Sequence, residues 1–266
     1  MSIKAIFFDI DGTLVPFGDR GIPAEVREAI RQVRADGVKV FIATGRHPEW
    51  IDNLGDTEFD GYVTTNGALV LLADKRTLIH IRPIEQASIS RLISFAPESD
   101  LAFSVLPAAG GIFITREIPE VTAACRLLNL PSTPVRPISE AGGKEIVQLM
   151  AFGTEEDRSR VGLFKEILPD CEPTSWNPLF CDIVPKGSDK GEGVAKMLEY
   201  FGLRKEDAVA FGDGDNDIPM LRLCGTGVAM GNAPQQVKEA ADYVTTDVRE
   251  HGVVHALQHL GLLSRG

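Results

Sequence analysis

Asp9 and Asp11 stand two residues apart, with Gly12 and Thr13 close behind, where an apolar run stops. That run, Ile3, Ala5, Ile6, Phe7 and Phe8, is too short for a helix and rich enough in isoleucine and phenylalanine for a buried strand. In an open α/β sheet the carboxyl ends of the strands are where ligands bind. Carboxylate oxygens placed there are hard donors suited to Mg²⁺, and a carboxylate can also act as a nucleophile. The plainer alternative is a turn in which the two side chains cap backbone amides.

Three further strand ends carry polar groups of complementary kinds. Val38, Val40, Phe41 and Ile42 run into Thr44, Gly45 and Arg46. Tyr62 and Val63 run into Thr64, Thr65, Asn66 and Gly67. Ala208–Phe211 runs into Gly212, Asp213, Gly214, Asp215, Asn216 and Asp217. Lys190 opens a helix, where its charge opposes the helix dipole and so points to an anionic group nearby; taken alone it reads as a solvated surface lysine. Lys186 is the rival cation but lies in a linker. The acidic cluster fails as a calcium loop, because positions six and twelve counted from Asp213 hold Ile218 and Cys224. His251, His255 and His259 recur at helical spacing. With no second ligand type beside them they read as the edge of a surface helix rather than a metal site. Trp50 and Trp176 read as packing residues.

The elements that must position these groups follow a simple order. Pro23–Asp36 reads as a helix with Val26, Ile30 and Val33 on one face and Gly37 behind it. A helix between two buried strands is the βαβ unit of a parallel sheet. At Pro83 the character changes. Helix-like segments at Ser88–Ala96, Val121–Leu128 and Arg158–Leu168 mix with strand-like segments at Leu101–Leu106, Gly111–Thr115, Glu145–Phe152 and Phe180–Val184. Pro107–Gly110 makes a hairpin of the first two strands, which points to a separate α+β unit over residues 83–183, entered at Arg82–Pro83 and left at Pro185–Gly187. The core pattern then resumes with a helix at Lys190–Phe201, strands at Ala208–Phe211, Gly227–Met230 and Tyr243–Thr245, and helices at Val237–Ala241 and Gly252–Leu260.

Composition narrows the class. At 266 residues, 44% of them hydrophobic and 24% charged, the chain is of globular type. A net charge of −11 argues against nucleic acid or an anionic membrane as partner. Any phosphate must therefore be captured by local positive charge. Cys125, Cys171, Cys181 and Cys224 form no C-x-x-C pair and read as thiols of a reducing compartment, with a Cys171–Cys181 bridge as the alternative. With no leader pattern and no run long enough for a membrane span, the expected location is the cytoplasm.

FFDIDGT, FIATGR, the Lys190 helix start and FGDGDND, in this order, resemble the haloacid dehalogenase superfamily of phosphatases. TTNGA, DIVPKGSDKG, GVAMGNA and EHGVV look like its Cof-type branch. The match covers residues 1–82 and 184–266; the insert at 83–183 agrees with the branch's α/β type IIB cap by position and class. His251 stands where the branch often has an acidic residue. The resemblance implies an α/β fold, with a Rossmann-like parallel sheet core and an inserted α+β cap domain. It implies Asp9 as the nucleophile that becomes an aspartyl-phosphate, and Asp11 as the acid that protonates the leaving oxygen and then activates water. Mg²⁺ is expected between the Asp9 carboxylate, the Asp11 carbonyl, Asp213 and the substrate phosphate, with Asp217 in or just outside its shell. Thr44 and Lys190 would hold phosphate oxygens, Asn216 would orient the site, and Arg46 and Asn66 fall where substrate contacts lie. Gly12 and Gly45 belong with these phosphate- and substrate-binding positions. The cap is expected to lie above Asp9 and to set specificity, its two linkers letting it close as a unit.

The expected function is hydrolysis of a small soluble phosphate monoester, a sugar phosphate or similar metabolite. Asp11 argues against a dehalogenase, which has no use for an acid two residues after the nucleophile. A phosphomutase using the same core, or a phosphometabolite-binding protein without turnover, are the alternatives. The substrate and the oligomeric state are not written in the sequence.

Overall fold

A computed structural model describes residues 3–19, 21–128, 130–153 and 161–263. The chain forms two compact units, Met1–His80 with Asp189–Gly266, and Ile81–Ser188.

The chain enters the first unit with β1 (Ala5–Phe8), α1 (Ala24–Ala35), β2 (Lys39–Ala43), β3 (Gly61–Thr64), β4 (Leu69–Leu72) and β5 (Leu78–Ile81). It then makes α2 (Gln86–Phe95), β6 (Ala102–Pro107), β7 (Phe113–Ile114), α3 (Pro119–Leu127), β8 (Ile146–Phe152), α4 (Val161–Ile167), β9 (Cys171–Asn177) and β10 (Phe180–Pro185). It returns through α5 (Lys190–Phe201), β11 (Ala208–Gly212), α6 (Ile218–Leu223), β12 (Thr226–Ala229), α7 (Gln235–Ala240), β13 (Tyr243–Val244) and α8 (Gly252–His259).

The first unit holds an eight-stranded sheet in the order β13-β12-β11-β1-β2-β3-β4-β5. Its centre is parallel, with β1 between β2 and β11. Alternate residues of β1 feed two cores. Ile6 and Phe8 pack with Val26, Ile30 and Val33 of α1 and Val253 and Leu257 of α8. Ala5 and Phe7 pack with Val194, Met197 and Leu198 of α5 and Met220 and Leu221 of α6. Helices therefore cover both faces, which is why the strands read as continuous apolar runs. After β1 the chain moves to β2 and β3 on one side; on its return it lays β11, β12 and β13 on the other. This reversal at β1/β11 is the crevice where open α/β sheets bind ligands.

The expected parallel core is present, and it is extended at one side by β4, which runs antiparallel to β3. Only Thr65–Ala68 joins them, too short for a crossover helix, so the chain must turn straight back.

The second unit holds a five-stranded sheet in the order β7-β6-β8-β10-β9. The β6–β7 hairpin read from the sequence is present, with Ser104 opposite Ile114 and Val105 opposite Phe113. One face, with Phe103, Val105, Leu149, Ala151 and Ile183, packs against Ile89 and Leu92 of α2 and Phe164 of α4. This unit extends past the 183 boundary, because Val184 and Pro185 continue β10 and pair with Glu172 and Cys171. At its other border it begins at Ile81 rather than Pro83. Residues 158–160 of the expected Arg158–Leu168 helix and the Trp176 side chain lie outside the described residues. All four cysteines are free thiols. Cys171 pairs with Pro185, whereas Cys181 sits at the far end of that strand, so no bridge joins them. Among the described residues, no helix is long and apolar enough to cross a membrane.

Candidate active site

The register of the central strands brings the site together. Phe8 lies opposite Phe211, so Asp9 leaves β1 beside the point where β11 runs into Asp213. Asp9 N donates to the Phe211 carbonyl at 3.0 Å, which ties the two strand ends. Gly12 follows at φ +87°, and a Cβ there would overlap the Asp213 carboxylate. Glycine is required on both counts, conformation and space.

Lys190 comes from the opposite end of the sequence. Asp189 caps α5 by accepting from Glu192 N at 2.8 Å. The first turn packs closely on the strand-end loop after β3, where a Cβ on Gly193 would lie 2.8 Å from the Gly67 Cα. Lys190, 1% exposed, is thereby driven into the crevice. Its Nζ donates to Asp9 Oδ1 at 2.6 Å and to Asp217 Oδ1 at 2.5 Å. Burial alone would lower its pKa, but the charges of Asp217 and Asp9 outweigh that and hold it above the ordinary lysine value.

Asp9, Asp213 and Asp217 offer oxygens within 4.8 Å of one another. Burial raises the Asp9 pKa well above the usual carboxylate range; Lys190 opposes the rise, and the charges of Asp217, Asp213 and Asp11 add to it. Burial, followed by the charge of Asp217, pushes Asp213 up to about 7. Were all three carboxylates ionised against one ammonium, two negative charges would be left in a buried space, which is why burial opposes their ionisation, and all the donors are oxygen. A hard divalent cation matches that set in charge and in ligand type.

The carboxylates differ in how much of their capacity is taken. Asp217 Oδ2 accepts from Asp213 N and Gly214 N, each at 2.9 Å, while its Oδ1 holds Lys190. Asp213 takes two longer bonds, from Thr13 Oγ1 at 3.3 Å and Asn232 Nδ2 at 3.2 Å.

Asp11 stands apart from this cluster. Arg46 grips its carboxylate with two parallel bonds, Nε to Oδ2 at 2.7 Å and Nη2 to Oδ1 at 2.8 Å. Arg46 also donates from Nη1 to the Trp50 carbonyl at 3.0 Å, and Trp50 itself is buried. Thr44, 1% exposed, accepts from Arg46 N through its hydroxyl at 3.1 Å. The loop after β3 leans on the same segment: Asn66 N donates to the Thr44 carbonyl at 3.2 Å and Thr65 N to the Arg46 carbonyl at 3.0 Å. Gly45 backs onto the Asn66 side chain, which accepts from Asn216 Nδ2 at 3.0 Å. Thr65 and Asn66 both have positive φ, 48° and 52°. Non-glycine residues held this way are strained, and such strain collects at functional sites.

A haloacid dehalogenase-like hydrolase family model matches residues 6–257. The chain belongs to the haloacid dehalogenase-like hydrolases. YkrA of Bacillus subtilis (strain 168), a protein named for phosphatase activity, is 33% identical over 264 residues, covering 99% of this chain and 100% of that protein. The 5-amino-6-(5-phospho-D-ribitylamino)uracil phosphatase YcsE of the same organism is 30% identical over 269 residues, covering 97% and 96%. A solved sugar phosphatase of subclass IIB in this superfamily is 36% identical, with a TM-score of 0.86, and the match covers 98% of this chain and 100% of that one. This haloacid dehalogenase-like chain is an enzyme, a phosphatase, with an α/β core and an insert of the IIB kind. Phosphatases of the superfamily generally use a divalent metal, and the acidic cluster is present for it.

The structure thus brings Asp9, Lys190, Asp213 and Asp217 into contact around one crevice, and joins Asn66 to Asn216. Two features were not legible in the chain. Arg46, placed among substrate contacts by the resemblance, has its guanidinium on Asp11. Asn232 lies within GVAMGNA, but the sequence assigns it no role. The three histidines do not converge: His255 Nδ1 lies 2.8 Å from Thr246 Oγ1, and the His259 ring stacks on Tyr243 with centroids 4.1 Å apart.

Proposed function

We propose that this phosphatase hydrolyses a small soluble phosphate monoester, a sugar phosphate or closely similar metabolite, with Mg²⁺ and through an aspartyl-phosphate on Asp9. The observation that carries the reading is the buried contact of Lys190 with Asp9 beside Asp213. It sets a candidate nucleophile, a fixed cation and an oxygen-only acidic cluster around one point.

Asp9 attacks phosphorus and the ester oxygen leaves with a proton from Asp11; water activated by Asp11 then releases phosphate from Asp9. Lys190 and the Thr44 segment hold the phosphate oxygens that gain charge as the reaction proceeds. Asp9 and Asp213, with the Asp11 carbonyl, would hold Mg²⁺. Asp217, its oxygens already committed to three donors, stays just outside. When bound, the metal supplies positive charge to the phosphoryl oxygens and offsets the carboxylates that would otherwise repel them. Arg46 fixes where the Asp11 carboxylate points. Asn66 and Asn216 brace the loop that carries Thr44.

The relatives favour a phosphate carried on a polyhydroxylated carbon chain, since one is a sugar phosphatase and another acts on a phosphorylated ribityl group. Core groups handle only the phosphoryl end, so we assign selection of the leaving group to residues 81–188. The net charge of −11 favours small-molecule over nucleic-acid substrates, and the four free thiols favour the cytoplasm.

The test is a panel of sugar, polyol, nucleotide and cofactor phosphates assayed with Mg²⁺ and after exhaustive chelation. Sugar and polyol phosphates should lead, EDTA should silence all activity, and one free phosphate should be released per ester consumed. Full activity after chelation would refute the metal role, and isomerised phosphate ester in place of free phosphate would make the enzyme a mutase. Exchange of residues 81–188 for another subclass IIB insert should reorder the panel.

Asp11→Asn should slow an alkyl phosphate more than an aryl phosphate, by about 10²-fold or more on the alkyl ester, because only the poor leaving group needs the proton. Equal losses on both esters would remove Asp11 from the acid role.

A further inference from the structure

Two sequence segments are not used by the chemistry above: GVAMGNA, which runs from β12 into the loop behind it, and the turn at residues 247–250 ahead of α8. Asn232 ties both to the site. Its Nδ2 donates to the Gly12 carbonyl at 2.9 Å and to Asp213 Oδ2 at 3.2 Å. Its Oδ1 accepts from Val248 N at 3.0 Å. One amide group therefore ties the loop after β1, the loop after β11 and the segment before α8.

The backbone around Asn232 is fixed from both sides. Met230 N donates to the Gly212 carbonyl and Gly231 N to the Thr246 carbonyl, each at 3.0 Å. Val248 is held in turn by the Asp247 turn, where Gly252 N donates to the Asp247 carbonyl at 3.1 Å. The bond from Val248 N also settles which end of the amide faces the site. An oxygen pinned to a backbone N–H leaves the NH₂ group pointing at Gly12 and Asp213, as a donor to both.

We propose that Asn232 is a positioning residue for the metal site: it holds the Asp213 carboxylate in its ligating orientation and locks the Gly12 loop against it. Thr13 Oγ1 holds the other Asp213 oxygen at 3.3 Å, so the carboxylate is fixed at both atoms. Without Asn232, Asp213 rotates under repulsion from Asp9 and Asp217, an effect that saturating metal offsets. Partners that orient a ligating carboxylate contribute about 10- to 100-fold to metal affinity. This role rests on the reading of Asp213 as a metal ligand.

The experiment is Mn²⁺ binding to the full-length protein, counted by loss of the free-ion EPR signal, beside a Mg²⁺ titration of activity. For Asn232→Ala, the Mn²⁺ dissociation constant and the Mg²⁺ concentration giving half-maximal rate should both rise about 10- to 100-fold. The kcat at saturating Mg²⁺ should stay within several-fold of wild type. Asn232→Leu keeps the size without adding charge and loses both donations, so it should also bind Mn²⁺ more weakly; it serves alone if the alanine variant does not fold. Wild-type affinity in either folded variant would overturn the role of Asn232 while leaving the metal reading in place. So would a kcat at saturating metal that falls by as much as the affinity. A wild-type protein that takes up no Mn²⁺ and ignores Mg²⁺ would overturn the metal reading, and this role with it.

Discussion

Replacing Asp9 by asparagine should bring phosphate release down by on the order of 10⁴-fold or more, to the level of contaminating activity, without unfolding the protein. Asparagine has the same shape but lacks the charged oxygen proposed to attack phosphorus, and loss of a covalent nucleophile would remove the path rather than a fraction of the rate. The fold should tolerate the change for an electrostatic reason. Asp9 is buried among Asp217, Asp213 and Asp11, whose charges all disfavour its ionised form. Lys190 keeps Asp217 as partner when Asp9 is neutralised. The melting temperature in EDTA should therefore equal or exceed that of wild type. Rapid quench with a radiolabelled ester should show labelled protein in the wild type and none in Asp9→Asn. Substantial turnover by the purified variant would refute the covalent mechanism.

Lys190→Met should both stop catalysis and weaken the fold. Methionine fills the channel but leaves Asp9 and Asp217 facing each other with no cation between them. Removing one partner of a buried ion pair costs about 3–5 kcal/mol, which for a protein of this size lowers the melting temperature by roughly 10 °C. Turnover should fall by on the order of 10²–10³-fold, because a fixed positive charge no longer meets the phosphoryl oxygens. Added Mg²⁺ should recover part of the stability, since a cation that binds only the folded form shifts the equilibrium toward it. A variant melting like wild type in EDTA would show that Lys190 is not the counter-charge of this cluster.

Much of this design could be read from the chain because of how parallel α/β sheets work. A strand buried on both faces is an unbroken apolar run, so Ile6–Phe8, Val40–Ile42 and Val209–Phe211 announce themselves, and each stops where a polar ligand group begins. The order of those ends, with Lys190 on a helix start, was enough to name the superfamily and to single out the acidic cluster. Strands without that burial were harder to read. β9, Cys171–Asn177, mixes proline, glutamate and threonine because it lies at a sheet edge, where a missing N–H and exposed side chains are tolerated. β4, Leu69–Leu72, is itself a mostly buried apolar run, and the short turn after Thr64 set only its antiparallel direction.

Which side chain meets which across 35 to 220 residues of sequence was decided only on folding. The parallel register Phe8 to Phe211 sets Asp9 beside Asp213. A guanidinium four residues from Trp50 could have faced a phosphate or a carboxylate; anchoring at the Trp50 carbonyl turns it to Asp11. Asn232 lies in the GVAMGNA motif, but nothing in that motif says where its amide points; Val248 N donates to its oxygen and turns its NH₂ group toward Gly12 and Asp213. Local composition dictates where polar groups stand at strand ends; their direction follows from hydrogen bonds to distant backbone, and those exist only in the folded chain.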